Sequence, residues 1–102
     1  MKRVAVTGLG VISPVGNDVP TFWNALCSGT CGIGPITKFD ATDYPVKLAA
    51  EVRDFDPRQY MEKLDILHSD VYTHFAMAAA CQAVADSGIA GTLDAERVGV
   101  YI

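Results

Sequence analysis

The chain has no excess of positive charge. Eight lysines and arginines stand against twelve aspartates and glutamates, a formal charge of −4 over 102 residues. That balance excludes general nucleic-acid or anionic-membrane binding as the default and leaves a small molecule or a protein as the expected partner. A long hydrophobic run is also missing. The longest strictly apolar stretch, Phe75 to Cys81, falls far short of the roughly 20 residues that cross a bilayer. The start, Met1-Lys2-Arg3 followed by apolar residues, has the outline of a secretion signal. Thr7, two glycines and Pro14 interrupt it, and no small-x-small cleavage site follows, so it reads as a first buried strand. Cysteine is scarce and odd in number. Cys27, Cys31 and Cys81 cannot all pair within one chain, which argues against a disulfide scaffold and for reduced thiols in a cytoplasmic compartment. Internal repeats and low-complexity tracts are absent, and 50% hydrophobic with 20% charged residues is an ordinary globular composition.

What is present begins with a glycine-rich turn. Val4 to Ile12 is a β-branched apolar stretch that carries Gly8 and Gly10, the first two positions of G-x-G-x-x-G. The third position is Ser13, and Pro14 removes an amide and biases Ser13 away from helix, so no helix N-terminus is set up to face a pyrophosphate. No G-K-[ST] follows either. The glycines are therefore expected to supply backbone freedom at a strand-to-loop turn.

Further along, Val19, Phe22, Trp23 and Leu26 have the i, i+3, i+4, i+7 spacing of one helix face. Asp18 is the expected N-cap, Pro20 sits in the first turn and Gly29 supplies the stop. Gly32 to Pro35 reads as loop and Lys47 to Val52 as a short strand. Asp56-Pro57 reads as a second cap with proline at the first helical position. One long helix is expected over residues 62–87, ended by Gly88, with an alanine-rich face that predicts burial. Arg97 to Ile102 reads as a final strand with nothing left to cover it. Strand, helix, strand, helix, strand predicts a layered α/β fold that is incomplete as given.

Side chains with chemical potential are few. Cys27 and Cys31 have a spacing met in metal sites, but only His68 and His74 are available to complete four ligands, and both fall in another element. No metal or cofactor is expected. Asp70 and His74, at i and i+4, can form a carboxylate–imidazole pair, read as a surface pair because no nucleophile accompanies it. His68 reads as a partly exposed helix residue. Glu51, Asp54 and Asp56 cluster in sequence, but Asp56 is better explained as a cap and Glu51 as the solvent-facing member of a strand. Ser13 is not in a G-x-S-x-G elbow. The residues by themselves show no active site.

Taken together, V-A-V-T-G-L-G-V-I-S-P-V-G-N, F-W-N-A-L-C-S-G-T-C-G-I, I-T-K-F-D-A-T-D-Y-P-V-K-L-A-A-E-V-R-D-F-D-P and A-M-A-A-A-C-Q-A-V-A-D-S-G-I closely resemble the N-terminal end of the elongating β-ketoacyl-acyl-carrier-protein synthases. These are the type II fatty-acid condensing enzymes, with polyketide ketosynthases as relatives. The likeness runs through nearly the whole chain in order.

The resemblance implies the N-terminal part of a thiolase-like α/β/α/β/α fold, with residues 1–102 as one segment without an internal boundary. It implies acyltransferase chemistry: decarboxylative condensation of an acyl thioester with malonyl-acyl-carrier protein, by an enzyme that works as a homodimer without a cofactor. A non-catalytic ketosynthase-like partner subunit or a polyketide ketosynthase segment is the alternative. The family's catalytic cysteine and histidines match none of Cys27, Cys31, Cys81, His68 or His74, so the segment by itself is expected to be inactive. Just before the alanine-rich part of the long helix the family has a basic run ending in Met-Asp that helps dock the acidic carrier protein. Here Lys63 and Asp70 fit that run, but Leu64, Leu67 and His68 replace basic residues, which leaves Lys63 as the docking candidate.

Overall fold

Local capping builds the first helix of the computed structural model, which describes residues 1–102. Helix α1 spans Val19–Cys27. Asp18 Oδ1 accepts the Thr21 N–H at 2.8 Å, satisfying one of the amides that a helix start leaves unpaired. At its other end, Thr30 N–H donates to the Ala25 carbonyl and Gly29 N–H to that of Leu26, with Gly29 at φ +68°. This is the glycine-terminated cap expected from the sequence.

Strands β1 (Ile33–Pro35) and β2 (Leu48–Ala50) pair antiparallel in the register Ile33–Ala50, Gly34–Ala49 and Pro35–Leu48. The expectation of loop at Gly32–Pro35 is thereby corrected. Pro35 has no N–H to donate, but in a two-stranded ribbon it occupies an edge, where none is required.

Glu51 is also corrected. Its carboxylate accepts from the Thr37 N–H at 3.1 Å, the Thr37 hydroxyl at 2.7 Å and the Lys38 N–H at 3.3 Å, clamping the start of the hairpin loop. The Thr37 hydroxyl and then its amide hold the Glu51 carboxyl below the ordinary glutamate range. A depressed carboxyl stabilises above its unfolded pKa and loses that contribution as pH falls through the folded value. The Thr37 amide resonance is therefore expected to titrate below the ordinary glutamate midpoint and to lose that titration in Glu51→Gln. A midpoint at or above the ordinary value would contradict the clamp.

A one-turn 3₁₀ helix, Pro57–Gln59, follows Asp56, whose side chain accepts the Arg58 N–H as the sequence predicts. The long helix expected over 62–87 is two helices, α2 (Lys63–Leu67) and α3 (Val71–Ser87). The break lies where short polar side chains compete for the backbone: Ser69 Oγ donates to the Asp65 carbonyl, and Asp70 is extended at φ −82°, ψ 162°. Gly88, left-handed at φ +65°, ends α3 as expected.

Neither predicted terminal strand forms. Residues 1–12 and 98–102 carry no strand pairing; a second 3₁₀ turn, Ala95–Arg97, precedes the latter. A β ladder needs a partner backbone, and here the opening segment instead crosses α3, where side chains take its amides. Leu9 N–H donates to Asp86 Oδ2 and Val11 N–H to Gln82 Oε1, each at 3.0 Å.

Gly8 and Gly10 have ordinary φ values, so conformational freedom is not their role. A Cβ on Gly8 would collide with the Ala83 carbonyl oxygen and lie 2.7 Å from Ser87 Cβ; one on Gly10 would collide with the Ala79 carbonyl oxygen. These glycines let the chain lie directly on the helix backbone, as glycine permits at close approaches.

The predicted burial of α3 is not met within these residues. Only Ala25, His74 and Ala78 are buried, while Met77, Ala80, Cys81 and Val84 are exposed. The radius of gyration, 16.9 Å, exceeds the roughly 13 Å of a compact domain of this length. An aromatic cluster flanks the first 3₁₀ turn, where Phe55 meets Phe75 edge-on at 5.1 Å and stacks on Tyr60 at 6.3 Å.

Candidate functional site

The polar side chains gather on the surface formed by the first 3₁₀ turn, α2 and the start of α3. A cleft of about 640 Å³ lies here, lined among others by Arg58, Tyr60, Glu62, Asp65, His68 and Thr73. Arg58 forms a two-point ion pair with Asp56, Nε to Oδ1 at 2.9 Å and an Nη to Oδ2 at 2.8 Å. That hydrogen bond holds the Asp56 carboxyl below the usual range and pushes the exposed guanidinium up. Arg58 is thus a neutralised cation, and its pairing is local.

Lys63, the first residue of α2, is exposed and in no ion pair. Leu64 and Leu67, which stand where basic residues were expected, are each 67% exposed and present apolar surface beside it. Leu67 is thus mostly uncovered, whereas Ile66 is half-buried. His68 is exposed at the C-terminal end of α2, as expected.

The Asp70–His74 surface pair is not formed. His74 is buried, and its Nε2 lies 3.2 Å from the Ile66 carbonyl; because a carbonyl only accepts, Nε2 carries the proton. Asp70 meets it only through the backbone, its carbonyl accepting the His74 N–H. The cysteines are exposed free thiols: Cys27 ends α1, Cys31 lies 3.9 Å from the Ile33 carbonyl, and Cys81 is on the open face of α3. No three histidine, cysteine or acidic side chains converge as metal ligands would.

The sequence reading missed Gln82. Its Nε2 donates to the Asn17 carbonyl at 2.7 Å and the Tyr60 hydroxyl at 3.2 Å while its Oε1 holds Val11, so one side chain joins three segments. A polar residue inside an otherwise alanine-rich helix stripe is the signal that points to it.

Residues 1–102 match the model of the β-ketoacyl synthase N-terminal domain, and the chain belongs to that family. Its arrangement is that of the ketosynthase N-terminal domain, the thiolase-like fold the resemblance implied. The chain is 50% identical over 102 residues to the 3-oxoacyl-[acyl-carrier-protein] synthase 2 of Coxiella burnetii, covering 99% of this chain and 25% of that protein. To the synthase 2 of Vibrio harveyi it is 46% identical, with 99% and 25% covered, and to that of Synechocystis 43%, with 99% and 24%. It superposes on the ishigamide ketosynthase/chain length factor with a TM-score of 0.75 at 34% identity, over 92% of this chain and 22% of that one. The chain thus spans about a quarter of the length of these relatives.

Proposed function

We propose that residues 1–102 are the N-terminal segment, without an internal boundary, of a condensing enzyme that elongates fatty acyl chains. The observation that carries this reading is the 50% identity, along 99% of the chain, to a 3-oxoacyl-[acyl-carrier-protein] synthase 2. In the proposed reaction an enzyme thiol displaces the carrier thiol from an acyl thioester. Malonyl-carrier protein loses carbon dioxide, and the resulting carbanion attacks the enzyme-bound acyl carbonyl. The new carbon–carbon bond forms as the enzyme's carbon–sulfur bond breaks, and a proton restores the thiol. None of Cys27, Cys31, Cys81, His68 or His74 is given a catalytic part. The segment by itself is proposed to be inactive; the enzyme is proposed to act as a cytoplasmic homodimer.

The test is to incubate the native gene product with acyl- and malonyl-carrier protein and weigh the carrier-bound product. A 3-oxoacyl chain two carbons longer, with release of carbon dioxide, is expected; unchanged acyl-carrier protein contradicts the reading. The second reading, a ketosynthase-like partner subunit without the nucleophile, draws support from the superposition on a ketosynthase/chain length factor.

Lys63 is proposed to meet the acidic carrier protein. Exposed and in no ion pair, it is a rim charge, which sets mainly association rate and orientation, with Leu64 and Leu67 adding apolar contact. Lys63→Glu is expected to slow carrier-dependent turnover several-fold at low salt, converging on wild type as salt rises. An unchanged rate and salt dependence would sink this assignment.

A further inference from the structure

We infer that His74 is a positioning residue that fixes α2, and with it Lys63, for docking; the inference rests on the docking role proposed above. Helix α2 has only five residues, too few to hold itself in water. Its stability must come from what satisfies its ends and what it packs on. The carbonyls of its last turn are taken one by one: Leu64 by the His68 N–H at 3.1 Å, Asp65 by the Ser69 hydroxyl, and Ile66 by His74 Nε2 at 3.2 Å.

The first two partners are within four residues and move with α2. His74 alone belongs to α3, it is 8% exposed, and its neighbour one turn on, Ala78, is fully buried. The bond is therefore the polar tie between the short helix that carries Lys63 and the long helix that anchors the segment. Lys63 lies three residues, under one turn, from Ile66, so an α2 released at Ile66 carries Lys63 out of register.

His74→Phe removes the donor at similar volume, and His74→Gln offers an amide N–H in its place. In the native gene product, His74→Phe is expected to raise KM for the carrier-borne acyl substrate roughly ten-fold, the scale of one part-buried carbonyl left unpaired. Acylation of the enzyme thiol by a small free acyl thioester, a half-reaction that involves no carrier protein, is expected to stay at the wild-type rate, and His74→Gln to recover most of the loss. Hydrogen exchange at the Ile66 and His68 amides is expected to quicken in His74→Phe while Ala78 to Ala83 keep their rates.

In the unmodified protein the imidazole is expected as the Nε2–H tautomer with a slowly exchanging proton, a readout that survives if the phenylalanine variant fails to fold. An unchanged carrier KM, equal acceleration of exchange in both helices, or an Nδ1–H tautomer overturns the inference. Absence of carrier-dependent condensation in the wild type defeats the functional reading instead, and the exchange and tautomer results then decide the tie on their own.

Discussion

A single methyl group at residue 10 is expected to destabilise the native gene product by about 3 kcal/mol, the upper end of overpacking costs. The added Cβ in Gly10→Ala would fall on the Ala79 carbonyl oxygen and within 2.9 Å of the Ala83 nitrogen, both backbone atoms of α3. Backbone inside a helix cannot swing aside as a side-chain tip can. Relief requires the opening segment to lift, which stretches the Val11 bond to Gln82 and the Leu9 bond to Asp86.

Gly29→Ala is the control. It meets open space but sits at φ +68°, so its cost is conformational, about 1–2 kcal/mol. The denaturation midpoints of the two variants should therefore separate, with Gly10→Ala the lower. Equal midpoints, or a Gly10→Ala protein as stable as wild type, would mean the opening segment does not lie on α3 as described.

Gln82→Leu is expected to cost about 3 kcal/mol. The change is close to isosteric, so little packing is lost, but the Val11 N–H, the Asn17 carbonyl and the Tyr60 hydroxyl all lose their partner. Each part-buried group left unpaired contributes on the order of 1–3 kcal/mol, reduced where water reaches it. Tyr60→Phe, which removes the longest of the three bonds, should cost only about 1 kcal/mol. The double variant should fall short of the sum, because the Gln82–Tyr60 bond is counted in both single changes. Strict additivity would show that Gln82 and Tyr60 do not touch in solution.

The helix ends were readable from the sequence because capping is local. Asp18, Asp56 and Gly88 act on amides or carbonyls a few residues away, and each is found where the residue type predicts. The break between α2 and α3 was hidden by a continuous apolar stripe running past Ser69 and Asp70, whose competition for backbone groups outweighs it. Gly8 and Gly10 were visible as special, but their reason lies some 70 residues away, in the backbone at Ala79 and Ala83.

Sheet formation failed as a reading at both termini for a related cause. Val4 to Ile12 and Arg97 to Ile102 have β composition, yet a strand exists only when another backbone pairs with it. For His74 the i, i+4 spacing nominates Asp70, while the ring turns to the carbonyl of Ile66 across a break that the apolar stripe does not mark.

As proposed above, this chain is part of a condensing enzyme whose nucleophile is none of its three cysteines. The most direct test is to incubate the native gene product with acyl-carrier protein alone, withholding malonyl-carrier protein, and to map the acyl adduct by peptide mass. The account predicts one acyl group per subunit, on a cysteine other than Cys27, Cys31 and Cys81. An adduct on any of those three, or no adduct on the protein at all, would contradict it.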